Sequence, residues 1–306
     1  MKRSLSLGLI VAGLAGALTV SAMAEDAAKA AAPAAHEAAA PAEEGGGHSQ
    51  PQPPRNDWSF AGVFGHYDQA QLQRGFRVFR EVCSNCHSAN LLAFRNLSEP
   101  GGPEFSEAQV KALAAEYKVK ELSDKTGDIE ERPARPSDHW PAPFANEIKA
   151  REANGGALPP DMSVLAKARS FHKPFPFFIF DALPGLSYQE HGVDYITAIM
   201  NGYRDEKPHG AKADDTLAAG QSWNEYMPGY KIGMPKPLSD GAVDYTDGTP
   251  KTVDQYAKDV SAFLMWTAEP KLEQRKKTGM RALIFLLVLS GLLYATKKRI
   301  WSNVPH

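Results

Sequence analysis

Residues 83–87 read Cys83-Ser84-Asn85-Cys86-His87, two cysteines three positions apart with a histidine directly after the second. This spacing is the attachment signature of a c-type haem. In a helical turn the three reactive side chains project from one face, so the thiols can add to two porphyrin vinyl groups while the imidazole reaches the iron. The chain has no other cysteine, which argues against a structural zinc site. A redox dithiol or a structural disulfide is the plainer alternative, but the flanking residues lack the βαβ context of thioredoxin-like motifs.

The N-terminal segment predicts export. A basic start precedes an apolar run from Leu5 to Val20, and residues 22–24 read Ala-Met-Ala, so residues 1–24 are predicted to be a signal peptide. Residues 25–54 are nearly all Ala, Pro, Glu, Gly and Gln, and we expect a disordered linker because they bury too little apolar surface. Export fits the haem motif, since c-type haem is attached outside the bacterial cytoplasm.

The net charge of −2 conceals an uneven distribution. Residues 55–270, the predicted globular part, contain 30 acidic and 23 basic residues, and a basic cluster follows them. An acidic domain is a poor nucleic-acid binder and a plausible partner for a basic protein. The charge pattern therefore predicts no nucleic-acid partner.

Capping signals place the helices. Asp68 and the apolar residues after it predict a helix that carries the haem motif at its end. Gly75 lies inside this helix, where a close helix crossing would explain its cost of about 1 kcal/mol relative to alanine. Ser106 and Thr252, each followed three residues later by Gln, predict two further helix starts, and the pattern over residues 193–203 predicts another helix.

The segments between these helices are rich in proline and glycine. We expect residues 99–150 to be a polar surface excursion apart from the helix after Ser106. Residues 154–161, Asn-Gly-Gly-Ala-Leu-Pro-Pro-Asp, predict a fixed loop that either passes over the haem face or is a plain turn. The Phe175–Phe180 run favours core packing over a partner surface.

The sixth iron ligand decides between oxygen chemistry, which needs an open site, and electron transfer, which favours methionine sulfur. Met200 and Met265 fall in helical stripes and are expected in the core. Met234 sits in a Gly- and Pro-rich loop that can present a thioether opposite His87. The rivals on spacing alone are Met162, Met227, His172, His191 and His209.

The C-terminal segment predicts a membrane anchor over residues 278–298. Ala282–Thr296 is apolar and uncharged between two basic clusters, and snorkelling of Arg281 extends it toward the roughly 20 residues of a full span. Because basic residues flank both sides, their distribution does not choose an orientation. The signal peptide does, and it predicts an exported domain with residues 299–306 in the cytoplasm.

With these features the chain resembles the cytochrome c1 family of quinol:cytochrome c oxidoreductase (bc1) complexes, in its alphaproteobacterial form. The similarity covers nearly all of residues 58–301. Four stretches carry it: Arg74–Ser88 around the haem motif, Gly-Ala-Leu-Pro159-Pro160-Asp, Tyr-Met-Pro-Gly-Tyr-Lys-Ile-Gly-Met234-Pro, and Asp259–Pro270 leading into the anchor. The resemblance implies an all-α fold, a class I cytochrome c-like haem domain with long loop insertions and one C-terminal transmembrane helix.

The resemblance also implies a site. It makes Cys83 and Cys86 the attachment residues and His87 and Met234 the axial iron ligands. Residues matching those that line the haem of the family are Asn154, Ala157, Pro159, Pro160, Arg169 and Tyr195, with Arg169 near a propionate.

The sequence departs from the family pattern in three places. Met227 stands where an aromatic residue is usual, which leaves the identity of the ligating methionine to be tested. Phe171–Glu190 is an insertion relative to mitochondrial forms. There is no second cysteine pair for the disulfide of some bacterial members.

The implied function is a one-electron relay from the Rieske iron–sulfur protein to a soluble or tethered cytochrome c, beside cytochrome b in a dimeric complex. The haem domain would be periplasmic and the anchor would cross the inner membrane. Enzymatic activity is implied for the complex and left undecided for the isolated chain. Two alternatives are an anchored cytochrome c of another electron-transfer complex and a haem-based gas sensor, which would need an open sixth site.

Overall fold

The fold is described from a computed structural model, which covers residues 51–123, 126–171 and 189–304. All of these residues belong to one compact unit. The predicted signal peptide and most of the predicted linker lie outside the described residues, as do His172 and the Phe175–Phe180 run. Pro53 is already buried, and Asn56 donates to the buried carboxylate of Asp194, so both residues pack against the folded part.

Helices dominate the described ranges and the strands are short, as expected for an all-α protein. The helices are α1 (Gln69–Glu81), α2 (Glu107–Ala115), α3 (Glu147–Ala153), α4 (Leu165–Ala168), α5 (His191–Asn201), α6 (Val253–Ala268) and α7 (Leu272–Ile300). Strands β1 (Lys118–Leu122) and β2 (Ile129–Pro133) form an antiparallel hairpin with Lys118 opposite Pro133. Strands β3 (Tyr203–Arg204), β4 (Ser222–Asn224) and β5 (Lys231–Ile232) form a small antiparallel sheet in that order.

The predicted helix starts are confirmed by their caps. Asp68 accepts hydrogen bonds from the backbone N–H groups of Ala70 and Gln71. Ser106 and Gln109 form a reciprocal capping box, and Thr252 accepts from the Gln255 backbone. These side chains satisfy N–H groups that the first helical turn leaves without partners. The helix expected over residues 193–203 runs instead from His191 to Asn201, because Tyr203 pairs with Asn224 in the small sheet.

Gly75 marks the crossing of α1 and α6, as the sequence suggested. A Cβ atom placed on Gly75 would lie 2.0 Å from the Asp259 carbonyl oxygen and 2.7 Å from the Phe263 Cβ. Only a residue without a side chain allows the two helices to approach this closely. The crossing holds the helix that leads into the haem motif against the last helix before the membrane segment.

The expectation of a mere surface excursion over residues 99–150 is wrong in part. Trp140 is 3% exposed and packs edge-on against Phe76, with ring centroids 5.7 Å apart. It also contacts the rings of Phe79 and Phe94. The excursion therefore supplies part of the core, because the burial of a large aromatic ring is strongly favourable. The β1–β2 hairpin, by contrast, is mostly exposed.

The C-terminal helix stands apart from the core. It is the one helix within the described ranges that is long and apolar enough to cross a membrane, judged by length and composition. At 1.5 Å per residue its 29 residues extend about 44 Å, enough for the roughly 30 Å hydrocarbon core. None of the residues that the structure describes covers its apolar window. The helix therefore has the form of a single-pass anchor.

Candidate haem site

The haem motif lies in one tight turn. Helix α1 ends at Glu81, and Cys83–Asn85 form a 3₁₀ turn rather than a continuation of the α-helix. The backbone N–H groups of Cys86 and His87 both donate to the Cys83 carbonyl, at 3.1 and 2.9 Å. The cysteines and the histidine are therefore held within a single turn, which is the arrangement that the spacing predicted.

The two residues between the cysteines explain why α1 ends where it does. The Ser84 hydroxyl donates to the Arg80 carbonyl, and the Asn85 amide donates to the Glu81 carbonyl, at 2.8 and 3.0 Å. These carbonyls belong to the last turn of the helix, where no backbone donor follows. Ser84 and Asn85 thus terminate α1, a role that the sequence analysis did not identify.

The two thiols have different surroundings. Cys83 packs against the hydrophobic core, and burial raises the pKa of its thiol to about 12. Cys86 is exposed.

The surroundings of His87 favour a neutral imidazole ring. Its ring is buried, with 7% of the residue exposed, and its Nδ1 lies 2.9 Å from the Pro160 carbonyl oxygen. A carbonyl can only accept, so Nδ1 carries the proton and Nε2 keeps its lone pair. Burial lowers the pKa of His87, which also favours the neutral ring. Neutral imidazole held through its other nitrogen is the state that binds a metal.

The loop that supplies the Pro160 carbonyl is fastened to the motif by Asp161. This carboxylate accepts 2.8 Å hydrogen bonds from the Ser88 hydroxyl and from the backbone N–H groups of Asn90 and Ser163. The Met162 N–H donates to the Ser88 carbonyl as well, at 2.8 Å. Burial alone would raise the pKa of Asp161, but these donors lower it. Asp161 thereby fixes Pro160 beside His87, and the sequence analysis gave it no role.

The same loop touches the loop of Met234. An added Cβ on Gly233 would lie 3.2 Å from the Ala157 Cβ, so these two segments are in contact. The Tyr203 hydroxyl donates to the Met234 carbonyl at 3.1 Å, which ties the methionine loop to β3. Ala157 of the first loop thus lies next to Gly233, the residue before Met234.

The structure separates the candidate methionines. Met200 and Met265 pack in the hydrophobic core as expected, and Met162 lies there too. Met227 and Met234 are both partly exposed. The Met227 sulfur accepts a hydrogen bond from the Tyr195 hydroxyl at 3.8 Å, which gives it a partner within the protein. Of the two partly exposed methionines, Met227 is thus the one whose sulfur contacts Tyr195.

The two histidine rivals within the described ranges, His191 and His209, have surroundings of their own. His191 opens α5, stacks on Phe171 with ring centroids 4.4 Å apart, and has its Nδ1 3.2 Å from the Ser170 hydroxyl. His209 is exposed.

The remaining predicted site residues lie on three elements. Asn154 ends α3 and its side-chain amide donates to the Ala150 carbonyl at 2.7 Å. Arg169, at the end of α4, is exposed and near enough to Tyr195 of α5 for its positive charge to lower the pKa of that phenol, which burial raises. Arg169 and Tyr195 are therefore neighbours, as a shared site requires.

This donor set fits a haem c. It combines two thiols and a neutral imidazole in one turn with a thioether on an adjoining loop. Among the described residues, no group of three or more His, Cys, Asp and Glu side chains is arranged to hold a metal ion. Together with the helical fold and the anchor, the site defines a membrane-anchored haem electron carrier.

Comparison with known proteins gives the particular family. A family model described as the Cytochrome C1 family matches residues 58–304. The chain belongs to the cytochrome c1 family, the haem-carrying electron-transfer subunits of bc1 complexes. These matches support neither a gas sensor nor a carrier of another complex.

Three alphaproteobacterial relatives are similar over most of this chain. "Cytochrome c1" of Blastochloris viridis is 47% identical over 269 residues, which are 87% of this chain and 92% of the relative. "Cytochrome c1" of Rhodospirillum rubrum is 45% identical over 264 residues, 82% of this chain and 88% of the relative. "Cytochrome b/c1" of Bradyrhizobium diazoefficiens is 52% identical over 252 residues, and the match spans 82% of this chain but only 36% of that protein.

Proposed function

We propose that this chain carries one covalently attached haem c and relays single electrons from a Rieske iron–sulfur protein to a cytochrome c. Cys83 and Cys86 would attach the group as thioethers, and His87 and Met234 would be its axial ligands. A haem iron held by nitrogen and sulfur supplies one-electron redox chemistry at a raised potential. The observation that carries the proposal is the hydrogen bond from His87 Nδ1 to the Pro160 carbonyl, because it leaves Nε2 free to bind iron.

The surrounding residues position the group and limit its contact with water. Asn154, Ala157, Pro159 and Pro160 would form one wall, because their loop is fastened to the haem motif by Asp161 and touches the Met234 loop. Tyr195 and Arg169 would form another, with the exposed guanidinium of Arg169 available to a propionate. These residues perform no bond chemistry; they set the potential and the access of partners.

The partners follow from the family and from the anchor. The Bradyrhizobium relative bears the name "Cytochrome b/c1", which supports cytochrome b as the membrane partner of this chain. A Rieske protein would be the electron donor and a soluble or tethered cytochrome c the acceptor, within a dimeric complex. Quinol:cytochrome c oxidoreductase activity would then belong to the complex as a whole.

The proposed location is the bacterial inner membrane. Helix α7 would cross it once, with the haem domain in the periplasm and residues 299–306 in the cytoplasm. The predicted signal peptide over residues 1–24 supports this orientation.

Expression of the full chain with a c-type haem maturation system tests the proposal. Haem should stay with the polypeptide after denaturation, and a Cys83→Ala/Cys86→Ala variant should lose it. The ferrous spectrum should be low-spin and unchanged by carbon monoxide, and cytochrome b should co-purify from the native membrane. Carbon monoxide binding by the wild-type chain would contradict a filled sixth site.

A further inference from the structure

The segment from Ser59 to Tyr67 forms a closed loop against the first turns of α7. The His66 N–H donates to the Ser59 carbonyl at 3.0 Å, which closes the loop. Lys276 of α7 donates its ammonium group to the carbonyls of Phe60 and Gly65, and the Tyr67 N–H donates to the Glu273 carboxylate at 3.0 Å. The loop is therefore fixed to the helix by polar contacts on both of its sides.

The tip of this fixed loop is apolar and exposed. Phe64 is 83% exposed and Val63 is 41% exposed. In water a rigid loop gains nothing from presenting a phenyl ring to the solvent, whereas the Phe side chains of interfacial segments are buried at the headgroup–acyl boundary. The exposure of Phe64 therefore indicates a surface that meets lipid.

A cavity of about 540 Å³ lies between the loop and the helix. Its charged lining comprises Lys276, Lys277 and Arg281 against the single carboxylate of Glu273, an excess of positive charge. Lys277 lies 3.3 Å from Glu273, while Arg281 has no ion-pair partner among the described residues. The apolar lining comes from Val63, Phe64 and Met280.

The cavity lies at the depth of lipid headgroups. Arg281 directly precedes the apolar run Ala282–Thr296, which would begin the hydrocarbon core. From Lys277 to Arg281 the helix rises about 6 Å, comparable to the polar layer of about 5–8 Å on one side of a bilayer. Lys277 and Arg281 are four residues apart and share one face of the helix.

We propose that this cavity binds the phosphate of an anionic glycerophospholipid in the leaflet nearer the folded domain. Arg281 and Lys277 hold the phosphate, and Phe64 and Met280 flank the upper acyl chain. The occupant is a lipid because the cavity joins positive charge at headgroup depth to the exposed apolar side chains of Val63 and Phe64. The site depends on α7 crossing a membrane and is independent of the electron-transfer role.

The test uses the full haem-loaded chain in phosphatidylcholine nanodiscs with spin-labelled lipids as probes. Electron paramagnetic resonance gives the association of spin-labelled phosphatidylglycerol relative to spin-labelled phosphatidylcholine. In a Lys277→Gln/Arg281→Gln variant this ratio should fall by up to about fivefold for each charge removed. Phe64→Ser should lower it as well, although no charge changes. The haem spectrum reports whether each variant is folded.

Two control variants match these changes away from the membrane segment. Lys258→Gln removes one partly exposed charge on α6, and Ile148→Ser removes an apolar side chain that is 76% exposed. Both should keep the wild-type lipid preference. A ratio unchanged in the double variant, or an equal loss of both lipids in Phe64→Ser, overturns the proposal. Loss of the preference when the chain is held in its native membrane complex would show that a partner subunit covers the cavity, which also overturns it.

Discussion

At the residue scale, Asp161 helps to fix which nitrogen of His87 carries the proton, although its own hydrogen bonds go to other residues. The Pro160 carbonyl accepts a hydrogen bond from Nδ1–H, and Asp161 keeps Pro160 in place by accepting hydrogen bonds from Ser88, Asn90 and Ser163. Hydrogen bonds to a charged acceptor contribute more than neutral ones. The loop position thus depends strongly on one carboxylate.

We expect Asp161→Asn to destabilise the folded domain by about 1–3 kcal/mol, because charge-assisted hydrogen bonds are lost. Guanidinium unfolding of the haem-loaded chain, followed by haem absorbance, measures the change. Asp214→Asn is the control, since Asp214 is exposed. If the variant were as stable as the wild type, Asp161 would not be needed to hold the loop in place.

The same carboxylate gives a pH dependence. Its folded pKa is lowered from the ordinary 3.8, so its contribution is present above that value and is lost as the pH falls through the lowered pKa. The stability difference between wild type and Asp161→Asn should be constant from pH 7 to about pH 5 and shrink below about pH 4. A difference that grows on acidification would contradict this sign.

The role of a residue could be predicted from the sequence where its partners are close to it in the chain. Asp68, Ser106 and Thr252 cap helices that begin directly after them, so sequence alone was sufficient. Asp161 and Pro160 act on residues more than 70 positions away, and nothing in their spacing indicates that contact.

At the scale of elements, the crossing of α1 and α6 positions the haem motif. We expect Gly75→Ala to destabilise the domain by about 1–3 kcal/mol, because its methyl group would lie 2.0 Å from the Asp259 carbonyl. Thermal unfolding followed by haem absorbance measures this. Gly279→Ala is the control, since no atom lies within 4 Å of its added Cβ and it also sits in a helix. Equal melting temperatures for the two variants would refute the packing argument.

Helices could be predicted where the pattern of polar and apolar residues within the segment itself defined them. The helix starts, the glycine crossing and the long apolar helix follow from short patterns in the sequence. The burial of Trp140 does not, because its partners Phe76, Phe79 and Phe94 come from distant segments. The contact of the Ala157 and Met234 loops is likewise tertiary, and the family resemblance, rather than spacing, brought them together.

At the scale of the whole molecule, the proposed function first fixes how the chain is oriented in the membrane. The signal peptide and a single apolar helix predict a haem domain outside the cytoplasm. Protease added to intact spheroplasts should remove the haem domain and leave the segment after Thr296 protected. Cleavage of that tail with a protected haem domain would reverse the proposed topology.

The acidic charge of the haem domain bears on how its electron acceptor docks. The acidic excess of residues 55–270 predicts electrostatic docking of a basic cytochrome c. Asp205, Glu206 and Asp214 are exposed. An ion pair between Asp215 and Lys231 of β5 joins their segment to the chain just before Met234. Asp215, a candidate from the sequence, is engaged by Lys231 at 2.7 Å and is the weaker choice.

The electron-transfer rate to a basic cytochrome c should fall steeply with salt, because the Debye length shrinks from about 10 Å at 0.1 M to about 3 Å at 1 M. Asp205→Asn/Glu206→Gln/Asp214→Asn should lower the low-salt rate and flatten the profile. Glu107→Gln/Glu130→Gln/Glu131→Gln removes the same charge from α2 and the hairpin and serves as the control. Equal effects of the two triple variants would count against a docking surface beside the methionine loop.

The central claim is a relay whose iron is held by His87 and Met234 at a high potential. The midpoint potential of the full haem-loaded chain, compared between Met234→Leu and Met227→Leu, tests it most directly. Met234→Leu should keep its covalent haem, lose on the order of hundreds of millivolts and bind carbon monoxide, because a soft ligand that favours ferrous iron is gone. Met227→Leu should retain the wild-type potential. A fall in potential for Met227→Leu with none for Met234→Leu would contradict the account.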